Sequence, residues 1–162
     1  MKRQILLVLL SLSCLSADCG GGKGETSPCG PDQGTVVSVV DGDTVDLASG
    51  VRVRYLLVDT PEVSHTTGTV SDCFGEEARA LNTLLVLNQE VNLEYDVECR
   101  DRFDRTLAYV SLGDRMVNRI LVERGYARVL VIPPNGTKYA EEFRALEASA
   151  EQAGAGLWGV CQ

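Results

Sequence analysis

Val51-Arg52-Val53-Arg54-Tyr55-Leu56-Leu57-Val58-Asp59-Thr60-Pro61-Glu62 is the stretch from which the rest of the chain can be read. Residues 51–58 are apolar and rich in β-formers, so they read as one strand. The strand stops at two carboxylates set around a proline. Pro61 has a fixed φ and keeps Thr60 extended, which holds Asp59 and Glu62 at a defined separation. Arg54 adds a cation to the same run. One positive and two negative side chains in so short a segment suit a site that takes a metal and an anion together.

Upstream, residues 35–40 form a β-branched run between Gly34 and Asp41-Gly42, and 45–47 resume it. Ala48-Ser49-Gly50 is the turn into 51–58, so a three-stranded meander is expected. Downstream, Cys73-Phe74-Gly75-Glu76-Glu77 opens a helix with acids in its first turn, where the macrodipole favours them. Ala78, Leu81, Leu84, Leu85 and Asn88 give that helix one face. Residues 91–95 alternate as a half-buried strand, and 106–112 make another, joined by the charged connection 100–105. Helices follow over 116–124, closed by Gly125, and over 138–153 with Tyr139, Phe143, Leu146 and Ala150 on one side. Pro133-Pro134-Asn135-Gly136 separates them, and Leu157-Trp158 is expected to dock on the core. Five strands with a helix after the third and two more helices describe a small β-barrel with helices, an α+β fold in one domain spanning 34–162.

At 162 residues the chain can bury one real core but not two. The formal net charge of −8 excludes a general basic surface that would draw the protein onto nucleic acid or acidic lipid. An anionic substrate must therefore be captured by local cations, placed arginines or a bound metal. Met1-Lys2-Arg3 followed by the apolar run 5–12 reads as an export signal over 1–18, and 19–33 as a flexible tether. Leu12-Ser13-Cys14 has the form of a lipoprotein box, with Cys19 as the rival acceptor and cleavage after Ala17 as the alternative. Export to the cell envelope or the exterior matches the cysteine content. Cys29, Cys73, Cys99 and Cys161 form an even set with no closely spaced pair, which favours disulfides over zinc; three pairings remain open.

Asp41-Gly42-Asp43-Thr44 reads alone as a bend that uses Asp and Gly for their turn tolerance. An EF-hand loop is excluded, because Asp46 stands where Gly is needed and Arg52 where the bidentate Glu is needed. His65, the sole histidine, lies in a polar loop and is expected to face solvent. The order of the motifs says more than any one of them. Two acidic sites follow apolar strand runs, each followed by Thr, with Arg54 leading into the second and Arg105 just before the last strand.

The runs Val-Val-Asp-Gly-Asp-Thr, Arg-Tyr-Leu-Leu-Val-Asp-Thr-Pro-Glu and Asp-Arg-Phe-Asp-Arg-Thr-Leu-Ala-Tyr-Val resemble the staphylococcal-nuclease-like (thermonuclease) family over about 33–158. Phe-Gly-Glu-Glu-Ala and Met-Val-Asn-Arg-Ile-Leu-Val-Glu-Arg-Gly-Tyr-Ala support the resemblance. It implies a five-stranded OB-fold barrel with three helices, acting as a monomeric calcium-dependent nuclease on DNA or RNA. It further implies that Asp43 and Asp59 are carboxylate ligands of Ca2+ and that Thr60 lends its backbone carbonyl. Glu62 would act through water as general base, with Arg54 and Arg105 gripping the scissile phosphate. The competing reading is a non-catalytic OB-fold module that holds single-stranded nucleic acid or a protein partner. Where the family's best-known member stacks tyrosines on its substrate, this chain reads Val129-Leu130-Val131-Ile132-Pro133, and Phe103 replaces a tyrosine. Loop 64–72 also lacks that member's lysines, so weaker nucleotide binding is expected.

Overall fold

The computed structural model describes residues 27–161. The export signal at 1–18, the acceptors Cys14 and Cys19, and the tether up to residue 26 lie outside the described residues. Residues 27–33, read as the end of the tether, are fastened to the body. Cys29 is disulfide-bonded to Cys99. The Pro31 carbonyl accepts from the Tyr95 hydroxyl at 2.6 Å, and the Asp32 carbonyl from the Leu93 N–H at 2.8 Å. Gln33 already opens the first strand.

Strands β1 (Gln33–Asp41), β2 (Thr44–Leu47) and β3 (Arg52–Tyr55) form the antiparallel meander. Strand β4 (Leu57–Asp59) follows, then helix α1 (Gly75–Val86), β5 (Glu90–Glu94), β6 (Thr106–Leu112) and β7 (Arg115–Met116). β5 pairs with β1 and β6 with β5, both antiparallel, and β3 pairs with β6 in parallel. That last pairing closes β1, β2, β3, β6 and β5 into the expected five-stranded OB-type barrel. Val36, Val45, Val53, Val91, Ala108 and Val110 are fully buried in it. Because side chains alternate along a strand, burying Val53 and Tyr55 turns Arg52 and Arg54 to the other face.

Helices α2 (Val117–Glu123) and α3 (Ala140–Gln152) lie close to the expected spans, with Phe143 and Ala150 buried. They flank β8 (Arg128–Leu130), and the single turn α4 (Leu157–Val160) seats Leu157 in the protein interior. The second disulfide joins Cys73 to Cys161, which settles the pairing that spacing left open.

Three expectations are corrected. Residues 51–58 are not one strand: Leu57 takes a left-handed φ of 66° and the chain turns there from β3 into β4. The turn survives because its polar groups are matched. The Leu56 N–H donates to the Ala108 carbonyl, and the buried Asn118 amide donates to the Leu56 carbonyl while accepting from the Val110 N–H. Gly136 packs under the turn, where a Cβ would come within 2.8 Å of a Leu57 methyl. Second, β4 pairs with β8, a strand the sequence did not suggest, matching Asp59 to Arg128 and Leu57 to Leu130. Third, the inward face of α1 carries Gly75, Ala78, Leu81, Asn82 and Val86, whereas Leu84 is 82% exposed and Asn88 lies beyond the helix end. Asn82 belongs inside because its amide oxygen accepts from the Tyr55 hydroxyl and its nitrogen donates to the Asp41 carbonyl. Helical spacing of apolar residues alone cannot show that.

Candidate active site

Gly42-Asp43 forms the two-residue turn between β1 and β2, with Asp41 opposite Thr44. Glycine is required at 42, since a Cβ there would come within 2.6 Å of the Thr60 methyl. That close approach lets Thr60 reach Asp43. Asp43 is 5% exposed, and its Oδ2 accepts from the Thr60 N–H at 2.9 Å and the Thr60 hydroxyl at 3.0 Å. Its Oδ1 accepts from the Thr44 hydroxyl at 3.0 Å and meets Arg54 Nε at 3.1 Å.

Arg54 comes from the outer face of β3 and bridges the two acidic turns. Nη2 meets Asp59 Oδ1 at 3.0 Å, and Nη1 donates to the Tyr55 and Val58 carbonyls, both at 2.6 Å. Most of its guanidinium is therefore spent within the protein. Asp59, at the end of β4, is half-buried. Burial pushes its pKa up, offset in part by Arg54 and Arg128 and reinforced by Asp43.

Glu62 has an exposed side chain on a fixed backbone. Its carbonyl accepts from the Asp72 N–H at 2.9 Å, and its N–H donates to the Asp72 carboxylate at 3.3 Å. Arg105 precedes β6 and is held by Asp101, whose Oδ2 accepts from Nε at 2.7 Å. A cavity of about 580 Å3 is lined by Arg54, Asp59, Glu62 and Arg105 together, with Leu130, Ile132 and Phe103 among its apolar walls. Asp43 and Thr60 are buried beside it and reach it through Arg54 and Asp59. All six residues expected at the site thus belong to one connected neighbourhood. His65 is exposed, outside it.

The sequence reading missed Asp41. Its Oδ1 is buried without a hydrogen-bond partner. Its pKa is pushed up to about 6 by burial first, then by the charges of Asp43 and Glu62. The Asp-Gly-Asp doublet was visible, but nothing in it said that the first Asp would have an oxygen buried. Among the described residues no group of three His, Cys, Asp or Glu side chains is already gathered as a chelate. The donor set is nonetheless all oxygen, from the carboxylates of Asp41, Asp43, Asp59 and Glu62, with the Arg54 guanidinium bridging Asp43 and Asp59. An orphaned buried carboxylate oxygen in such a cluster fits a hard cation.

The sequence model described as "Staphylococcal nuclease homologue" matches residues 52–160. The chain belongs to the staphylococcal nuclease family. It is 35% identical to the thermonuclease of Staphylococcus intermedius over 95% of this chain and 92% of that one. It is 36% identical to the thermonuclease of Staphylococcus hyicus, over 76% of this chain and 73% of that one. It is equally similar to the endonuclease YncB of Bacillus subtilis, over 76% of this chain but only 60% of that one. As a staphylococcal nuclease homologue it is a hydrolase whose substrate is nucleic acid. The cavity offers what cutting such a substrate requires: cations for an anionic ester, a carboxylate to handle water, and a cluster of oxygen ligands.

Proposed function

We propose that this staphylococcal nuclease homologue is a calcium-dependent nuclease that hydrolyses phosphodiester bonds in DNA, RNA or both. The observation that carries the reading is the cavity that holds Glu62 and Arg105 together with Arg54 and Asp59, the last two tied to buried Asp43. Asp43 and Asp59 with the Thr60 backbone carbonyl are the residues that would hold Ca2+. Bound there, the ion would supply Lewis-acid polarisation of the phosphate and relieve the repulsion that Asp43 and Glu62 exert on Asp41.

The protein's own groups do the rest. A phosphodiester repels an approaching hydroxide, and its transition state carries still more charge, a barrier whose reduction can demand up to ~23 kcal/mol. Arg105 offers a planar fork for two phosphate oxygens, which a lysine cannot copy. Arg54 adds a second positive centre to the same cavity, and both count most as the phosphoryl oxygens gain charge. Glu62 takes the proton from the attacking water, its backbone held in place by Asp72. Against a net charge of −8, the substrate must be drawn in by local cations such as these. Export completes the proposal and is supported by the two disulfides; it ends either at the envelope, with a lipid on Cys14 or Cys19, or in free secretion.

Digestion of denatured DNA and of RNA by the purified protein, with calcium or with chelator, tests the reading. Cleavage is expected with calcium and its loss with chelator. Binding of either polymer without cleavage in calcium would leave only the binding-module reading standing.

A further inference from the structure

The connection between β5 and β6 carries Arg105 and is built around one carboxylate. Asp101 Oδ1 accepts from the backbone N–H of Phe103 at 2.9 Å and of Arg105 at 3.0 Å, while Oδ2 takes Arg105 Nε. The backbone closes over it: the Asp101 N–H donates to the Arg105 carbonyl, and the Asp104 N–H to the Asp101 carbonyl. The base of the loop is fastened as well. Cys99 is disulfide-bonded to Cys29 and accepts from the Leu107 N–H. Glu98 exchanges two hydrogen bonds with the buried side chain of Asn135, at 2.7 and 2.9 Å.

We propose that Asp101 is a positioning residue for the reaction: it fixes the turn and the guanidinium of Arg105 at once, so that the Nη edge meets the scissile phosphate. The inference rests on the phosphate-binding role given to Arg105. With Nε committed to Asp101, neither Nη atom of Arg105 has a hydrogen-bond partner among the described residues. That leaves a free two-pronged edge at the cavity. An ordinary surface ion pair would not do this, and the same loop contains one for contrast. Arg100 and Asp104 make a single contact with side chains 51% and 82% exposed, whereas the Arg105 and Asp101 side chains are 30% and 18% exposed. Although burial opposes it, the bonds from Arg105 and Phe103 hold the Asp101 carboxyl below its ordinary range, so it stays an acceptor at both oxygens.

The test is Asp101→Asn, because the asparagine oxygen can still accept both backbone N–H groups while its amide cannot accept from Nε. In the calcium-supplemented enzyme kcat is expected to fall at least about tenfold, and toward 10²-fold if the guanidinium swings by about an ångström. KM and Tm are expected to hold, which a purely structural role would not give. In the Arg105→Lys background the same substitution should change kcat by less than about threefold, since the two residues act as one unit. A kcat for Asp101→Asn close to wild type overturns the inference, as does an equal fall in the Arg105→Lys background. If Arg105→Lys itself keeps wild-type kcat, the role of Arg105 fails first and Asp101 falls with it. If Arg105→Lys is crippled and Asp101→Asn is not, only Asp101 is misread.

Discussion

Arg54 and Arg105 face the same cavity from two very different settings. Arg54 stands on a barrel strand, its side chain 12% exposed, with bonds to Asp43, Asp59 and two backbone carbonyls. Arg105 stands on a loop, its side chain 30% exposed, with one carboxylate on Nε and nothing on its Nη atoms among the described residues. The first is chiefly a counter-charge that lets two acidic turns share a corner of the barrel. The second is a hand held open. Two residues of one type, both named from sequence as phosphate grips, thus divide into one that holds the site together and one that is free to hold substrate.

The largest effect expected within this comparison sharpens that division. Arg105→Lys should lose ~2.7–4 kcal/mol of transition-state stabilisation, read as a fall of kcat at unchanged Tm, the cost of removing one oriented donor. Arg54→Lys should instead lower Tm as well as activity, because it strips partners from buried Asp43 and from the Tyr55 and Val58 carbonyls. Equal Tm values for the two variants would erase the contrast. Next in size is Asn118→Ala, which leaves the Leu56 carbonyl and Val110 N–H unmatched in the interior. Each unmatched group costs about 1–3 kcal/mol, so thermal unfolding should shift down by several degrees with the β3–β4 turn loosened.

A smaller effect comes from Asp41. Its folded pKa of about 6 lies above the ordinary value of 3.8, so the protonated form favours the fold. For the metal-free protein this contribution is fully present below the unfolded value and is lost as pH rises through about 6. After allowance for partial solvent screening the change is about 1–2 kcal/mol. Asp41→Asn should therefore raise the metal-free Tm at neutral pH and flatten its fall between mildly acidic and neutral solution. Denaturation followed across pH in chelator reads both. The smallest effect concerns the apolar wall: Ile132 is 64% exposed at the cavity. Ile132→Tyr should lower KM by the low end of the ~1–3 kcal/mol that an aromatic gives a stacked base, with kcat unchanged.

Much of this was legible in the sequence because it is local. Strand alternation, the Asp-Gly-Asp-Thr turn and Asp-Thr-Pro-Glu after an apolar run identify the barrel and its acidic corner. What stayed hidden depends on long-range contacts. The left-handed Leu57 has no local signature, since it is tolerated only where Asn118 and Gly136 meet it from distant parts of the chain. β8 is three residues long and exists because β4 offers it an edge. Apolar spacing leaves Asn82 off the inward face of α1, because only its partners Tyr55 and Asp41 show that it belongs inside. The candidate residues were named before their division of labour could be seen, because spacing does not tell a spent guanidinium from a free one.

The most direct measurement is single-turnover cleavage of denatured DNA by wild type and Glu62→Gln in saturating calcium, with Tm recorded for both. Glu62 is exposed at the cavity, so its substitution should leave Tm in place. If Glu62 is the general base proposed above, the substitution slows cleavage by about 10²–10⁴-fold. A Glu62→Gln enzyme that cuts at the wild-type rate would contradict the assignment of this cavity as the place where the phosphodiester is hydrolysed.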